Sequence, residues 1–248
     1  MLLALTAFLM STTTVSLPVP PNILSPLTTL LARWNGGIIG QGGPTNAQFA
    51  NLWSQLAAKY ASDSKVIFGI MNEPHDLTMS TWAVSVQAAV TAIRAAGATS
   101  QLILLPGTGY TSAAGFETNS APALSTVKDS DGTVSKLIYD VHKYMDSDGS
   151  GTSSTCVSNE ISSAFQSLAT YLRTNKRQAF LSETGGGNTA SCEQYVCQAL
   201  AYLNQNSDVY LGWTGWAAGS FDTSYVLSET PNGNTDQPIV AQCIAGEF

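Results

Sequence analysis

The sequence is short of charge. Charged residues fill 11% of its 248 positions, against about a quarter in an ordinary soluble domain. Ten Lys and Arg stand against seventeen Asp and Glu, a net charge of −7. That leaves too few cations for an extended nucleic-acid surface. No stretch reaches the ~18 to 20 uninterrupted apolar residues of a membrane-spanning helix, so no membrane partner is expected. No Asn-x-Ser/Thr acceptor occurs, so N-glycosylation is not expected. There is no CxxC, and the two histidines, His75 and His142, lie away from the cysteines, which argues against a metal site. Disorder is excluded by a hydrophobic content of 44%. What remains to cover the surface is Ser, Thr, Asn, Gln and Gly. Such a chain reads as a secreted protein that handles neutral substrates.

Cysteine is absent until Cys156; Cys192, Cys197 and Cys243 complete the set. Four cysteines allow three pairings. Cys192 to Asn204 reads as a helix, which sets Cys192 and Cys197 about 140° apart around it. A bridge between those two is therefore disfavoured, and two pairings stay open.

The N-terminal stretch has two readings. Leu2 to Met10 is apolar and precedes a Ser/Thr run, as in a short signal-peptide core, but no Lys or Arg stands before it. It reads equally as an apolar segment packed on the domain. Ser11 to Pro26, punctuated by Pro18, Pro20 and Pro21, is expected to be irregular.

From residue 46 onward the pattern alternates. Helices are predicted over Asn46–Ala61, Ser80–Ala96 (capped by Ser80, ended by Gly97), Glu160–Thr174 and Cys192–Asn204. Short apolar strands are predicted over Lys65–Met71, Gln101–Leu105, Lys136–His142, Gln178–Ser182 and Val209–Trp216. One short helix is expected before a turn at Asp131-Gly132, and a last helix from Gln237. Strands alternating with helices imply a parallel sheet with right-handed crossovers. Five units fit after residue 65, and upstream of residue 46 there is room for at most one more strand. The fold class is therefore α/β: an open parallel sheet or an incomplete (β/α)8 TIM barrel, with five to six βα units.

Polar residues gather at the predicted strand ends, where such folds place their active sites. The sets are Asn72-Glu73-Pro74-His75, then His142-Lys143-Tyr144, Ser182-Glu183-Thr184 and Trp213-Thr214-Gly215-Trp216. Glu73 and Glu183 fall on non-adjacent strands. Two carboxylates across a cleft suit glycoside hydrolysis, one protonating the leaving oxygen and the other attacking or activating water. Asn72 suits a sugar hydroxyl, and Trp216 offers an apolar face to a sugar ring. Trp34 and Tyr110 are further candidates for subsites, whereas Trp53 and Trp82 fall in helical periodicity and read as packing residues. The Gly36–Gly43 run reads as a cleft loop, since it has no Lys for a phosphate. Asp146-Ser147-Asp148-Gly149 lacks the twelfth-position Glu of a calcium loop and reads as a solvated turn.

The stretches GIMNEPHD, YDVHKYMDSDGSG, FLSETGGGN and YLGWTGWAAGSFDTSYVLSETPNG closely resemble fungal glycoside hydrolases of family 5, the endo-β-1,4-glucanases or cellulases. The similarity begins near Ala32, with ARWNGGIIGQGGPTNAQF, and runs almost to the C-terminus. It divides the chain into a divergent N-terminal segment, 1–31, and a partial catalytic domain, 32–248. The resemblance implies a (β/α)8 barrel and retaining chemistry without metal or organic cofactor. By position, Glu73 resembles the acid/base and Glu183 the nucleophile. Asn72 resembles the residue that binds the 2-hydroxyl, and His142 and Tyr144 the pair supporting the carboxylates. Trp216 resembles the platform under the cleaved sugar. The order of cysteines implies Cys156–Cys192 and Cys197–Cys243. The implied partner is a β-glucan polysaccharide or oligosaccharide, and the implied location is extracellular.

One departure is large. Family members carry three strand–helix units before ARWNGG, including an Arg and a His that contact the catalytic centre. Residues 1–31 do not resemble that region. Arg33 and His75 belong to retained motifs and do not replace the two. An incomplete barrel has an open edge, and self-association across it is an expected way to cover that edge. The rival reading is a catalytically impaired carbohydrate-binding protein, or a truncated fragment of such an enzyme.

Overall fold

A computed structural model gives the fold. It describes residues 8–9, 25–28, 33–34, 36–218 and 224–245, the first three stretches as backbone alone. Most of the N-terminal stretch thus lies outside the described residues, as does the Trp34 side chain. Among the described residues the chain divides into two compact units, and the boundary, Asp140/Val141, falls inside a strand.

Unit one is a sheet backed by helices. Its strands are β1 (Phe8–Leu9), β2 (Ser25–Thr28), β5 (Val66–Gly69), β6 (Ile103–Pro106) and the first part of β7 (Leu137–His142), in that order. β1 is antiparallel to β2, and the other neighbours are parallel. A small hairpin joins β3 (Arg33–Trp34) to β4 (Gly37–Ile38). More strands lie upstream of residue 46 than the one expected, and Ser25 and Pro26, expected to be irregular, open β2. The two-residue strands β1, β3 and β4 are too short for alternation to reveal, and Pro26 masks β2 as a loop.

β5 and β6 are buried along their whole length, as the apolar runs VIFG and ILLP require between two covered faces. Helix α1 (Asn46–Tyr60) begins with a reciprocal cap: the Gln48 amide N–H donates to Thr45 Oγ1 and the Thr45 N–H to Gln48 Oε1. Helix α2 (Met79–Ala95) is capped at Thr78, not Ser80. Gln41 explains the shift. Its side chain accepts the Thr78 N–H at 2.9 Å and donates to the Thr78 carbonyl at 3.3 Å, which fixes the entry two residues early.

Trp53 and Trp82 are fully buried and make the core, as expected. Trp53 meets Phe68 edge-on, and the Trp82 indole donates to the Pro106 carbonyl at 2.9 Å. Arg94 and Asp129 form a buried two-pronged ion pair, both contacts at 2.8 Å, and Arg94 also holds the Ala98 carbonyl. Burial works to raise the Asp129 pKa, but the Arg94 hydrogen bond and the Ser130 amide hold it below the usual carboxylate value. The Gln101 amide nitrogen lies within 2.9 to 3.2 Å of the carbonyls of Tyr60, Ala61 and Asp63, where α1 ends. After β6 come two short helices, α3 (Phe116–Asn119) and α4 (Ala121–Leu124), where one was expected.

Unit two holds the end of β7, then β8 (Ala179–Thr184) and β9 (Tyr210–Gly215), which run parallel with register shifts between them. The Lys143 N–H donates to the Glu183 carbonyl at 3.1 Å, setting the end of β7 beside the end of β8. Helix α5 spans Gln166–Asn175 and α6 spans Ala190–Gln205. The predicted helix from Glu160 is corrected at its start, where a π-helical turn occupies Ile161–Phe165 and Glu160 has φ +55°. Glu160 is committed elsewhere: it takes the hydroxyls of Ser158 and Ser163 and pairs with Lys143. The tail forms a single π-helical turn, Val240–Ile244. Disulfides join Cys156 to Cys192 and Cys197 to Cys243.

The strand–helix sequence is thus β2–α1, β5–α2, β6–α3/α4, β7–α5, β8–α6 and β9 with the tail turn. The fold is an incomplete (β/α)8 barrel.

Candidate active site

The site residues of unit one follow the ends of β5 and β6. Asn72 and Glu73 stand just beyond β5 and are half-buried. Glu73 has φ +43°, a left-handed conformation that costs a non-glycine residue on the order of 1 kcal/mol or more. Tyr110, beyond β6, has φ +61° and is 55% exposed. Its N–H donates to the Pro74 carbonyl at 3.0 Å, tying the two loops together. The next residue, Thr111, donates through Oγ1 to the Asp140 carbonyl and accepts the Gly107 N–H, anchoring this loop to β7.

Tyr110 stacks on His75, with ring centroids 4.4 Å apart and planes 14° from parallel. His75 belongs to the polar set at this strand end, but the sequence assigns it no role. The His75 ring nitrogen Nδ1 lies 2.8 Å from the Asp76 carboxylate. The stacked pair borders a cavity of about 550 Å³, lined also by Gln41, Thr78, Phe116 and Asn119.

In unit two, Glu183 sits within β8 and is 8% exposed. Its Oε2 accepts the Tyr144 hydroxyl at 3.0 Å and lies 3.4 Å from His142 Nδ1. His142 ends β7, and Tyr144 follows two residues later; both are buried. The structure therefore brings two of the predicted residues onto the carboxylate of a third. Donors aimed at an ionised carboxylate stabilise its charge.

Trp216 follows β9. Its N–H donates to the Thr184 carbonyl at 2.7 Å and its indole to the Tyr225 hydroxyl at 3.0 Å. The Trp216–Ala217 peptide is cis. Below this loop lies a residue that sequence reading missed. Glu229 is buried, and its N–H donates to the Ala217 carbonyl at 3.0 Å. A Cβ on Gly215 would run into the Glu229 carboxyl group, so the two share one small space. Burial pushes the Glu229 pKa up to about 8, which keeps the acid neutral at pH 7.

The Asp146–Ser153 loop corrects another expectation. Asp146 is 3% exposed, and its carboxylate accepts the N–H groups of Gly151, Thr152 and Ser153. Asp148 is the exposed partner, closing a local turn with Ser150. Ser147, Asp148, Ser150, Thr152 and Ser153 are exposed, as a solvated turn requires, but Asp146 turns inward and braces the loop from within.

Comparison with known proteins gives four findings. The family model described as Cellulase (glycosyl hydrolase family 5) matches residues 23–219. Endoglucanase EG-II of Hypocrea jecorina is 64% identical over 219 residues, covering 86% of this chain and 52% of that protein. The crystal structure of Cel5A (EG2) from the same organism superposes with a TM-score of 0.86 at 62% identity, over 88% of this chain and 68% of that one. More distantly, the endoglucanase Cel5A of Pseudomonas stutzeri, solved with cellobiose, is 28% identical with a TM-score of 0.76, over 88% of this chain and 65% of that one. The chain spans about half the length of EG-II, and the strand ends from Asn72 to Trp216 lie within the residues that the family model matches. It belongs to the cellulase family, glycosyl hydrolase family 5.

Proposed function

We propose that this chain is a secreted, retaining endo-β-1,4-glucanase acting on cellulose-like β-glucan. The observation that carries the reading is Glu183: a buried carboxylate at a strand end, with the Tyr144 hydroxyl at 3.0 Å and His142 beside it. Such a group is held in place with a donor aimed at it, the arrangement a carboxylate nucleophile needs. The cellobiose bound to the Pseudomonas stutzeri relative supports the substrate class. Two disulfides support an oxidising compartment.

In the proposed reaction Glu183 attacks the anomeric carbon while the protonated Glu73 gives its proton to the departing glycosidic oxygen. The C–O bond to the leaving sugar breaks as the ester to Glu183 forms. Glu73, now a carboxylate, takes a proton from water as that water attacks the same carbon and releases Glu183. Asn72 binds the 2-hydroxyl, and Trp216, Trp34 and Tyr110 stack against sugar rings. His142 and Tyr144 support the carboxylates. No cofactor enters this scheme. Residues 32–248 form the catalytic domain, 1–31 precede it as a divergent segment, and self-association covers the open edge.

The test is a reducing-sugar assay on soluble glucan with the purified 248-residue chain and its Glu183→Gln variant. Hydrolysis by the parent and none by the variant is expected. Equal hydrolysis by both would overturn the roles. Oligosaccharide binding without turnover in the parent would favour the carbohydrate-binding reading.

A further inference from the structure

We propose that Asp146 and Gly151 are positioning residues for the candidate nucleophile, acting through Tyr144. The inference rests on the reading of Glu183 just given. Its basis is a chain of contacts within unit two that no motif of the sequence displays.

The Tyr144 phenol reaches Glu183 Oε2 at 3.0 Å. That bond survives only if the ring stays in place, since displacing the hydroxyl by about 1 Å takes it beyond hydrogen-bonding range. Gly151 packs closely against this ring. A Cβ built on Gly151 would stand 2.7, 2.7 and 2.8 Å from Tyr144 Cδ1, Cε1 and Cγ, closer than any real side chain sits. Gly151 also has φ +72°, which a larger residue resists. The position therefore demands glycine twice over, once for conformation and once for the ring.

Asp146 keeps Gly151 there. Its Oδ1 accepts the Gly151 N–H at 3.2 Å, and its Oδ2 accepts those of Thr152 and Ser153 at 3.0 and 3.1 Å. Three consecutive amides on one buried carboxylate form a charge-assisted clamp. The local turn does not need it, because Asp148 already closes that turn through Ser150. Beyond the clamp the chain is pinned again: the Thr189 hydroxyl donates to the Ser154 carbonyl at 3.0 Å, and Cys156 is bridged to Cys192. The titratable groups around this assembly within unit two include His142 and Glu183 at the strand ends, Asp148 in the loop itself, and Lys143, which pairs with Glu160 at 3.3 Å. The clamped loop thus packs against the tyrosine ring whose hydroxyl reaches Glu183.

The experiment compares the parent with Gly151→Ala, Asp146→Asn, Tyr144→Phe and the double variant Gly151→Ala/Tyr144→Phe. Gly132→Ala, at another positive-φ glycine with open space around it, controls for backbone strain alone. Gly151→Ala is expected to lower kcat by about tenfold with KM nearly unchanged. It should also move the acidic limb of the pH–rate profile upward, as Tyr144→Phe does, because one donor to the nucleophile is lost. Asp146→Asn should act in the same direction. In the Tyr144→Phe background, Gly151→Ala should add little, since both changes remove the same bond. Gly132→Ala should leave the limb in place. A parent-like limb in both Gly151→Ala and Asp146→Asn, or additive effects in the double variant, would overturn the proposal. Should Gly151→Ala not fold, Asp146→Asn carries the test. Should the parent prove inactive, the proposed function fails separately. The carboxyl titration of Glu183 by carbon-13 NMR then decides: a midpoint raised in Asp146→Asn as in Tyr144→Phe supports the clamp, and an unmoved one refutes it.

Discussion

Glu183 and Glu73 are carried differently by the backbone. Glu183 lies inside β8, is buried, and receives a tyrosine hydroxyl with a histidine alongside. Glu73 stands past the end of β5, half-buried, on a backbone of φ +43°. The Glu183 carboxylate takes the Tyr144 hydroxyl from the end of the neighbouring strand, and the Glu73 backbone is set by a left-handed turn. The difference suits the two proposed tasks. A nucleophile gains from a rigid, charge-stabilising nest, whereas an acid/base must exchange its proton with sugar oxygen and water and cannot be sealed in. The units differ similarly in their supports. Unit one relies on a buried ion pair, Arg94–Asp129, and unit two on two disulfides.

The largest expected effect separates the two glutamates. Glu183→Gln should lower hydrolysis on the order of 10⁴-fold or more on every substrate. Glu73→Gln should lower it by about 10² to 10⁴ on glucan, but much less on an aryl cellobioside whose acidic phenol leaves without protonation. Equal loss in both variants on the aryl substrate would break the comparison. A crystal structure of the intact site sharpens it: retaining chemistry calls for carboxyl groups about 5 to 5.5 Å apart.

The supports come next. Arg94→Met leaves the Asp129 carboxylate buried and unpaired, and should destabilise the protein by about 3 to 5 kcal/mol in urea unfolding. Mutating both cysteines of either bridge should remove about 3 to 4 kcal/mol, for loops of 36 and 46 residues. If the bridges proved dispensable, the contrast between the units would fail.

Glu229 gives a smaller, pH-dependent effect. Its folded pKa, about 8, lies above the unfolded value of 4.5. The folded state therefore holds a proton that the unfolded state has lost. Stability from this group is full below pH 4.5, falls as pH rises, and levels off above about 8. Glu229→Gln keeps the shape without the titration. It should match the parent near pH 4 and exceed it at pH 8 by a few kcal/mol at most. A difference that does not grow with pH would remove Glu229 from this role. Smallest of all, Tyr110→Ala should weaken oligosaccharide binding by about 0.5 to 1.5 kcal/mol in calorimetry, since the ring is exposed and stacked on one side only.

The strands bearing the site were legible because VIFG and LIYDVH are short, apolar and bounded by polar motifs. Glu183, His142 and Tyr144 were found for the same reason. The clamp residue Asp146 was not, because Asp-Ser-Asp-Gly has the composition of an exposed turn, and burial depends on amides that only the folded loop supplies. Glu229 hides in Ser-Glu-Thr-Pro, where nothing local announces a neutral buried acid. Thr78 displaced Ser80 as a helix cap through Gln41, a partner 37 residues away. Periodicity encodes none of these: Thr78 depends on a distant partner, Glu229 on the backbone of Gly215 and Ala217, and Asp146 on the path of its own loop.

Gln101 offers a last consequence. Its amide gathers the carbonyls of Tyr60, Ala61 and Asp63, about forty residues earlier in the chain. Helix ends ordinarily fray, opening at small free-energy cost long before the whole domain does. Here the last turn of α1 is clasped by the residue that leads into β6, so it cannot open without releasing the strand as well. Amide protons at the end of α1 should exchange with solvent at rates set by that shared opening. The Gln101→Ala variant should restore fast, independent exchange to the helix end while leaving the middle of α1 as slow as before.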